Sequence, residues 1–157
     1  MKKSLQEVLD KFHYGIYLIT ITSGGSHNGM IASWVTQCSH EPPLVAVAIR
    51  NNRLSRSQIT ESLRFTINLL SEEALDSIKK FKIPDWKRKF DGVGFDLSPA
   101  GSPVLHEALG FLDCEVDRIV ETGDHTLFIA RIAEGRLIRH GGSLSTDEYG
   151  GVYRGDR

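Results

Sequence analysis

Cysteine is scarce in this chain of 157 residues: Cys38 and Cys114 are the only two, too few and too far apart to make a metal-ligand cluster. Both lie in apolar or strand-like runs, which predicts buried structural thiols, with a disulfide or a reactive thiol as the alternatives. Long hydrophobic runs are missing as well, so nothing in the sequence is able to cross a bilayer as a helix. The first fifteen residues carry Lys2 and Lys3 but lack the apolar centre of a signal peptide. These absences predict a cytoplasmic protein with no membrane partner. A charge of one sign is lacking too: 19 Lys and Arg against 20 Asp and Glu leave a net charge of −1, with no basic stripe to hold nucleic acid. The one dense basic stretch, Lys79 to Lys89, is broken by Phe81, Ile83, Pro84, Asp85 and Trp86.

Several chemistries are excluded on the same grounds. There is no GxGxxG after a strand, no GxxxxGK[ST], no HExxH and no GxSxG. The six histidines, His13, His27, His40, His106, His125 and His140, are scattered without ligand spacing, so no metal site is expected.

What is present is an ordinary globular balance, 40% hydrophobic and 25% charged, in a length that suits one domain over residues 1–157. Leu5, Val8, Leu9 and Phe12 recur at helical spacing, with Ser4 as the cap and Glu7 completing a capping box. Ile16 to Thr22 is dense in β-formers and ends at Ser23-Gly24-Gly25, and Asn28 to Gln37 reads as the returning strand. Glu41-Pro42-Pro43 ends that strand. The continuously apolar Leu44 to Ile49 then predicts a strand buried on both faces or set in a small barrel. A short helix over Arg53 to Ser62, a strand over Arg64 to Leu70 and a helix over Glu72 to Phe81 capped by Ser71 follow.

Lys82 to Pro103 reads as an irregular loop, of a length that is usually functional or mobile. Gly110 to Glu121 and His125 to Ile138 form a hairpin around Thr122-Gly123-Asp124. From His140 onward the chain is polar and Gly-rich, with apolar points at Leu144, Tyr149, Val152 and Tyr153. Six or seven strands in hairpin succession, with no βαβ rhythm, predict a mainly β protein: an antiparallel barrel with short flanking α-helices.

Five pieces in order carry a resemblance to a known family. They are Asn28-Gly29-Met30-Ile31-Ala32-Ser33-Trp34-Val35-Thr36-Gln37, the proline pair with its strand, Arg50-Asn51-Asn52-Arg53-Leu54-Ser55, Phe65-Thr66-Ile67-Asn68-Leu69 and Gly123-Asp124-His125-Thr126-Leu127-Phe128. Together, over residues 10–138, they resemble the flavin-reductase-like, FMN-binding split-barrel family. The resemblance implies a split β-barrel, a homodimer with its flavin site near the subunit interface, and FMN as cofactor in preference to FAD. It implies NAD(P)H-dependent reduction of flavin, with reduced flavin passed to a monooxygenase. Its alternative is a flavoredoxin-like carrier that keeps its FMN and passes single electrons to an iron protein.

The residue types suit that chemistry. A flavin needs a flat apolar shelf, backbone partners and cationic or hydroxyl donors for its phosphate. Ala32, Ser33, Trp34, Val35 and Thr36 alternate small or hydroxylated side chains with an aromatic one and are expected to form the shelf. Arg50, Asn52, Arg53 and Ser55 lie where a strand runs into a helix, a natural phosphate site, and by the resemblance the phosphate is held there. Lys87 and Phe90, in the aromatic and cationic loop, are expected to cover the ring. His125 is placed by the resemblance beside the flavin and the nicotinamide path, and is the expected catalytic residue, positioning the reductant or tuning the ring.

Overall fold

After Gly15 the chain enters strand β1 (Tyr17–Ser23), and the computed structural model, which describes residues 1–150, shows it turning at Gly24-Gly25 into β2 (Ser26–Ala32). Both glycines hold positive φ, +58° and +78°, the pair of left-handed conformations that a two-residue hairpin turn needs. The β pattern predicts that the returning strand runs to Gln37. It stops at Ala32 instead, because Ser33 and Trp34 step out of the ladder. The chain resumes as β3 (Val35–Ser39), which turns at Pro42-Pro43 and pairs with β4 (Leu44–Arg50).

Helix α2 (Leu54–Ser62) and strand β5 (Arg64–Leu69) follow, then a small hairpin of β6 (Phe95–Leu97) and β7 (Pro103–Leu105), and the long hairpin of β8 (Gly110–Glu121) and β9 (His125–Leu137). Among the described residues, seven strands form one antiparallel sheet in the order β2-β1-β5-β8-β9-β4-β3. β2 and β3 thus lie on opposite edges, yet only Ser33 and Trp34 separate them. Three virtual bonds span at most about 11 Å, whereas seven flat strands would set the edges roughly 29 Å apart. The sheet therefore curls until its edges nearly meet, which is the split barrel expected from the resemblance.

Alternation fills the interior. Ile19, Ile21, Val45, Val47, Ile49, Phe65, Ile67, Phe128 and Ala130 are all buried there. β4 alternates buried and half-buried residues, so its apolar run reflects the small barrel and not burial on both faces. A second core lies outside the barrel, where Ile16, Leu18 and Ile31 meet Leu70, Ile78, Phe81, Leu105, Phe111 and Leu144. The expected helix over Glu72–Phe81 is instead two 3₁₀ segments, Glu72–Ala74 and Ser77–Lys82. The Ser71 side chain makes no cap and its backbone bridges to Ser143, while the Ser77 hydroxyl donates to the Ala74 carbonyl, competing locally with α-helical bonding.

The stretch read as a loop, 82–103, carries a third 3₁₀ turn (Trp86–Arg88) and the β6 strand. Buried side chains pin the β6–β7 hairpin to the sheet: Thr20 Oγ1 donates to the Pro103 carbonyl at 2.7 Å, and Asn68 Oδ1 accepts from Leu105 N at 2.8 Å. Asp113 accepts from Thr66 Oγ1 at 2.6 Å and from Ala100 N at 3.0 Å. Asn68 of the F-x-I-N piece is therefore a structural clip.

Three further expectations change. Helix α1 spans Lys3–Leu9, so Ser4 lies inside it and caps nothing; Lys2 stands at the cap without a side-chain bond. Its apolar side chains Leu5, Val8 and Leu9 stay exposed, as does Phe12 just beyond it. Cys38 is exposed, because β3 is an edge strand, whereas Cys114 is buried and its thiol is pushed up to about 12 by burial and by the neighbouring Asp113; both are free. The tail adds helix α3 (Thr146–Tyr149), whose Ser145–Glu148 capping box is complete; Leu144 is buried, and Val152 and Tyr153 lie outside the described residues. Among the described residues no helix is long and apolar enough to cross a membrane.

Gly29 marks the tightest contact between β2 and the second core: a Cβ there would lie 2.6 Å from the Phe81 ring. Gly29→Ala is expected to cost about 1–3 kcal/mol in urea unfolding, while Gly123→Ala, where a Cβ meets nothing within 4 Å, changes stability by less than about 0.5 kcal/mol. Equal values for the two would refute this packing account.

Candidate active site

The cleft opens where the barrel is split. It encloses about 640 Å³ between the Ser33–Trp34 link, the end of β4, the start of α2, the β8–β9 turn and helix α1. One wall is the shelf formed by Met30, Ala32, Ser33 and Trp34. Ala32 and Ser33 are buried, whereas Trp34 is 43% exposed. The link is held in place by Ala48 N, which donates to the Trp34 carbonyl at 3.0 Å. The Trp34 indole lies 4.5 Å from the His125 ring and 6.3 Å from that of Tyr14, centroid to centroid.

Cations line the cleft as well. β4 ends at Arg50, two residues turn, and α2 begins after Arg53 with no side chain capping it; Arg50, Asn52 and Arg53 all line the cleft. Lys89, just past the 3₁₀ turn, lies in the field of Arg53 but outside the cleft's lining. Its ammonium donates to the Gly29 carbonyl at 2.8 Å, and burial, with the Arg53 charge nearby, lowers its pKa to about 8. Two cations brought together out of water are held at a cost that an anion between them would offset. Asp10 and Asp124 line the same cleft, Asp124 in the field of Arg50.

His125 is nearly enclosed, with 14% of its side chain exposed, and its Nδ1 lies 2.6 Å from Asp124 Oδ1. This hydrogen bond, followed by the imidazole's charge, holds the Asp124 carboxyl below its ordinary pKa. An ionised carboxylate only accepts, so Nδ1 carries the proton, and in the neutral ring Nε2 is left as an acceptor.

The structure thus gathers Ala32, Ser33, Trp34, Arg50, Asn52, Arg53 and His125 around one cleft. The other expected residues stand apart from its lining. Val35 is half-buried against the barrel core, and Thr36 is exposed with its hydroxyl on the Gln37 carbonyl. Ser55 is buried in the first turn of α2. Lys87 reaches over the Trp86 ring at 5.7 Å, and Phe90 packs on Phe81 and Phe95 with centroids 5.1 and 5.2 Å away. Asp124, Tyr14 and the α1 residues Gln6, Leu9 and Asp10 line the cleft too, and no motif in the sequence marks them. Asn28 and Gly29 act one layer back. Asn28 Nδ2 donates to Gln58 Oε1 at 2.8 Å, tying β2 to α2.

A second groove of about 690 Å³ lies between the β6–β7 hairpin and the far ends of β8 and β9. It sets carboxylates Asp96 and Glu134 beside Arg136 and His106 and includes no helix start, so it offers an anion less.

The model of the flavin reductase like domain family matches residues 9–152. Diflavin flavoprotein A 1 of Synechocystis sp. is 31% identical over 142 residues, 88% of this chain and 25% of its own length. A flavin reductase of Pseudomonas putida is 31% identical over 128 residues, 81% of this chain and 75% of its own. Among solved structures, a nitrilotriacetate monooxygenase component B homolog from Mycobacterium thermoresistibile superposes with a TM-score of 0.83 at 27% identity, covering 91% of this chain and 80% of that one. The chain spans only about a quarter of the diflavin relative.

Lys89 has a consequence for stability. Its folded pKa of about 8 lies below the ordinary 10.5, so between these values the unfolded chain holds a proton that the ligand-free folded one has lost, and stability rises with pH across that window. Unfolding midpoints measured from pH 7 to pH 10 are expected to rise for the native chain relative to Lys89→Met. Parallel curves would contradict the assignment.

Proposed function

The chain belongs to the flavin reductase like domain family, and from that premise we propose that it is a homodimeric, cytoplasmic FMN-binding reductase that takes hydride from NADH or NADPH. One observation carries this reading: Arg50, Asn52 and Arg53, with Lys89 in the field of Arg53, share one cleft with the small-residue shelf Ala32-Ser33 and with Trp34. Cations and an amide at a helix start beside a flat small-residue shelf suit the phosphate and planar ring of a flavin mononucleotide. When bound, the flavin supplies the two-electron acceptor that no side chain of this protein offers.

The chain's own residues bind, orient and shield. Arg53 at the start of α2 and Lys89 just past the 3₁₀ turn would hold the phosphate, and Asn52 would add an amide. Ala32 and Ser33, having small side chains, let a ring approach the backbone. Leu9 and Tyr14 add apolar and aromatic surface to the cleft. His125, fixed by Asp124 and flanked by Trp34, stands where the reductant would enter, with Nε2 able to accept a hydrogen bond from a carboxamide.

In this reading reduced flavin leaves for a monooxygenase, in keeping with the name of the component B relative. A second reading, an FMN that stays bound and passes electrons singly to a protein partner such as an iron protein, is favoured by the diflavin relative, in which this unit is a quarter of a longer chain. Dialysis separates the two: a reductase loses its yellow colour and oxidises NAD(P)H faster with added flavin, while a carrier keeps its colour.

Fluorescence titration tests the site. Arg53→Ala with Lys89→Met is expected to weaken FMN binding by about 3–6 kcal/mol, since hydrogen bonds to charged groups are each worth about 1.5–3 kcal/mol, and to leave riboflavin affinity nearly unchanged. Equal losses for both flavins would remove the phosphate from this wall. In anaerobic stopped-flow, His125→Ala is expected to slow reduction more than it weakens FMN binding.

A further inference from the structure

Asn51 sits between two cleft residues, Arg50 and Asn52, yet its own groups all turn to the β8–β9 hairpin. The β4–β9 ladder ends at the pair Arg50 and His125. One residue further, Asn51 N donates to the Asp124 carbonyl at 2.9 Å and Asn51 Nδ2 to the Gly123 carbonyl at 3.4 Å. Its Oδ1 accepts from the fully buried Thr126 Oγ1 at 2.7 Å, and Arg56 Nε of α2 donates to that same hydroxyl oxygen at 3.1 Å.

The turn needs this support. Glu121 to Asp124 are exposed, and the turn's own closure rests on Thr122, whose N and Oγ1 both donate to the His125 carbonyl. Two turn carbonyls, Gly123 and Asp124, are met by Asn51. The same residue is covalently next to the cationic wall. An aspartate could not substitute: it would lose the donation to Gly123 and set a second carboxylate beside Asp124.

We infer that Asn51 is a positioning residue that locks the Asp124–His125 turn to the start of α2, so that the cationic wall and the histidine are held as one unit. Taking the cleft as the flavin site proposed above, Asn51 acts through His125 and not on the flavin. Its effect then falls on reduction, while phosphate binding rests on Arg53 and Lys89.

Three variants test this: Asn51→Ala, Asn51→Asp and Thr126→Val, the last keeping side-chain shape should the first fail to fold. In flavin-free protein, amide exchange in residues 120–126 is expected to quicken about tenfold for each, the loss of one or two neutral hydrogen bonds. FMN affinity is expected to stay within about threefold, because the Asn51 side chain is bonded to the β8–β9 hairpin and not aimed into the cleft, while the neighbouring backbone and α2 remain. Reduction is expected to slow toward the His125→Ala rate, and Asn51→Ala combined with His125→Ala to be no slower than His125→Ala alone. Unchanged exchange would overturn the clamp. Independent, multiplying effects of the two substitutions on reduction would overturn the action through His125. Should neither nicotinamide reduce the native protein, the reductase function falls while exchange still decides the clamp: quickened exchange upholds it and unchanged exchange rejects it.

Discussion

Two residues, Ser33 and Trp34, join the opposite edges of a seven-stranded sheet, and that short tether sets the shape of everything near it. It forces the sheet to curl and gives Val45, Val47, Ile49, Ile67 and Phe128 a shared interior. It also prevents complete closure, because the linking residues leave the ladder. The cleft is this unpaired seam. The backbone at the split approaches whatever lies in the cleft, and the small side chains of Ala32 and Ser33 keep that approach open, with Trp34 turned toward His125.

Charge gathers along the seam. Arg50 comes from the close of β4 and Arg53 from the start of α2, and Lys89, some sixty residues after Gly29 in sequence, is brought near Arg53 by the 3₁₀ turn and its bond to the Gly29 carbonyl. Burial, with the Arg53 charge nearby, lowers the Lys89 pKa to about 8. Asp124, next to the Arg50–His125 pair, is held below its ordinary pKa by its bond to His125 and by the imidazole's charge. Sites that pay with local strain or charge repulsion for function are where residue-by-residue propensity is least informative.

Much of the fold was legible because periodicity and turn chemistry act locally. Gly24-Gly25 and Thr122-Gly123-Asp124 mark hairpins whose flanking strands alternate cleanly. The break at Ser33–Trp34 was hidden, since Trp-Val-Thr continues a β pattern with no Gly or Pro to interrupt it; only the pairing of β3 with β4 reveals it. Ala74, Ile78 and Phe81 carry helical spacing, yet packing against β1 and β2 is met by 3₁₀ turns. In the site, Arg50, Asn52, Arg53 and His125 were visible as donors at element ends. Lys87, Lys89 and Phe90 all stay outside the cleft's lining because of how the Trp86–Arg88 turn is wound, and no spacing rule fixes that. Asn51 stands within Arg50–Ser55, but its bonds go to a turn some seventy residues later.

The most direct measurement is a crystal structure of the protein soaked with FMN. The phosphate is expected against Arg53 and Lys89 at the start of α2, with the ring on the Ala32–Trp34 shelf and His125 beside it. Flavin seated in the second groove, against Phe111 and Arg136, or absent at saturating FMN, would contradict the account.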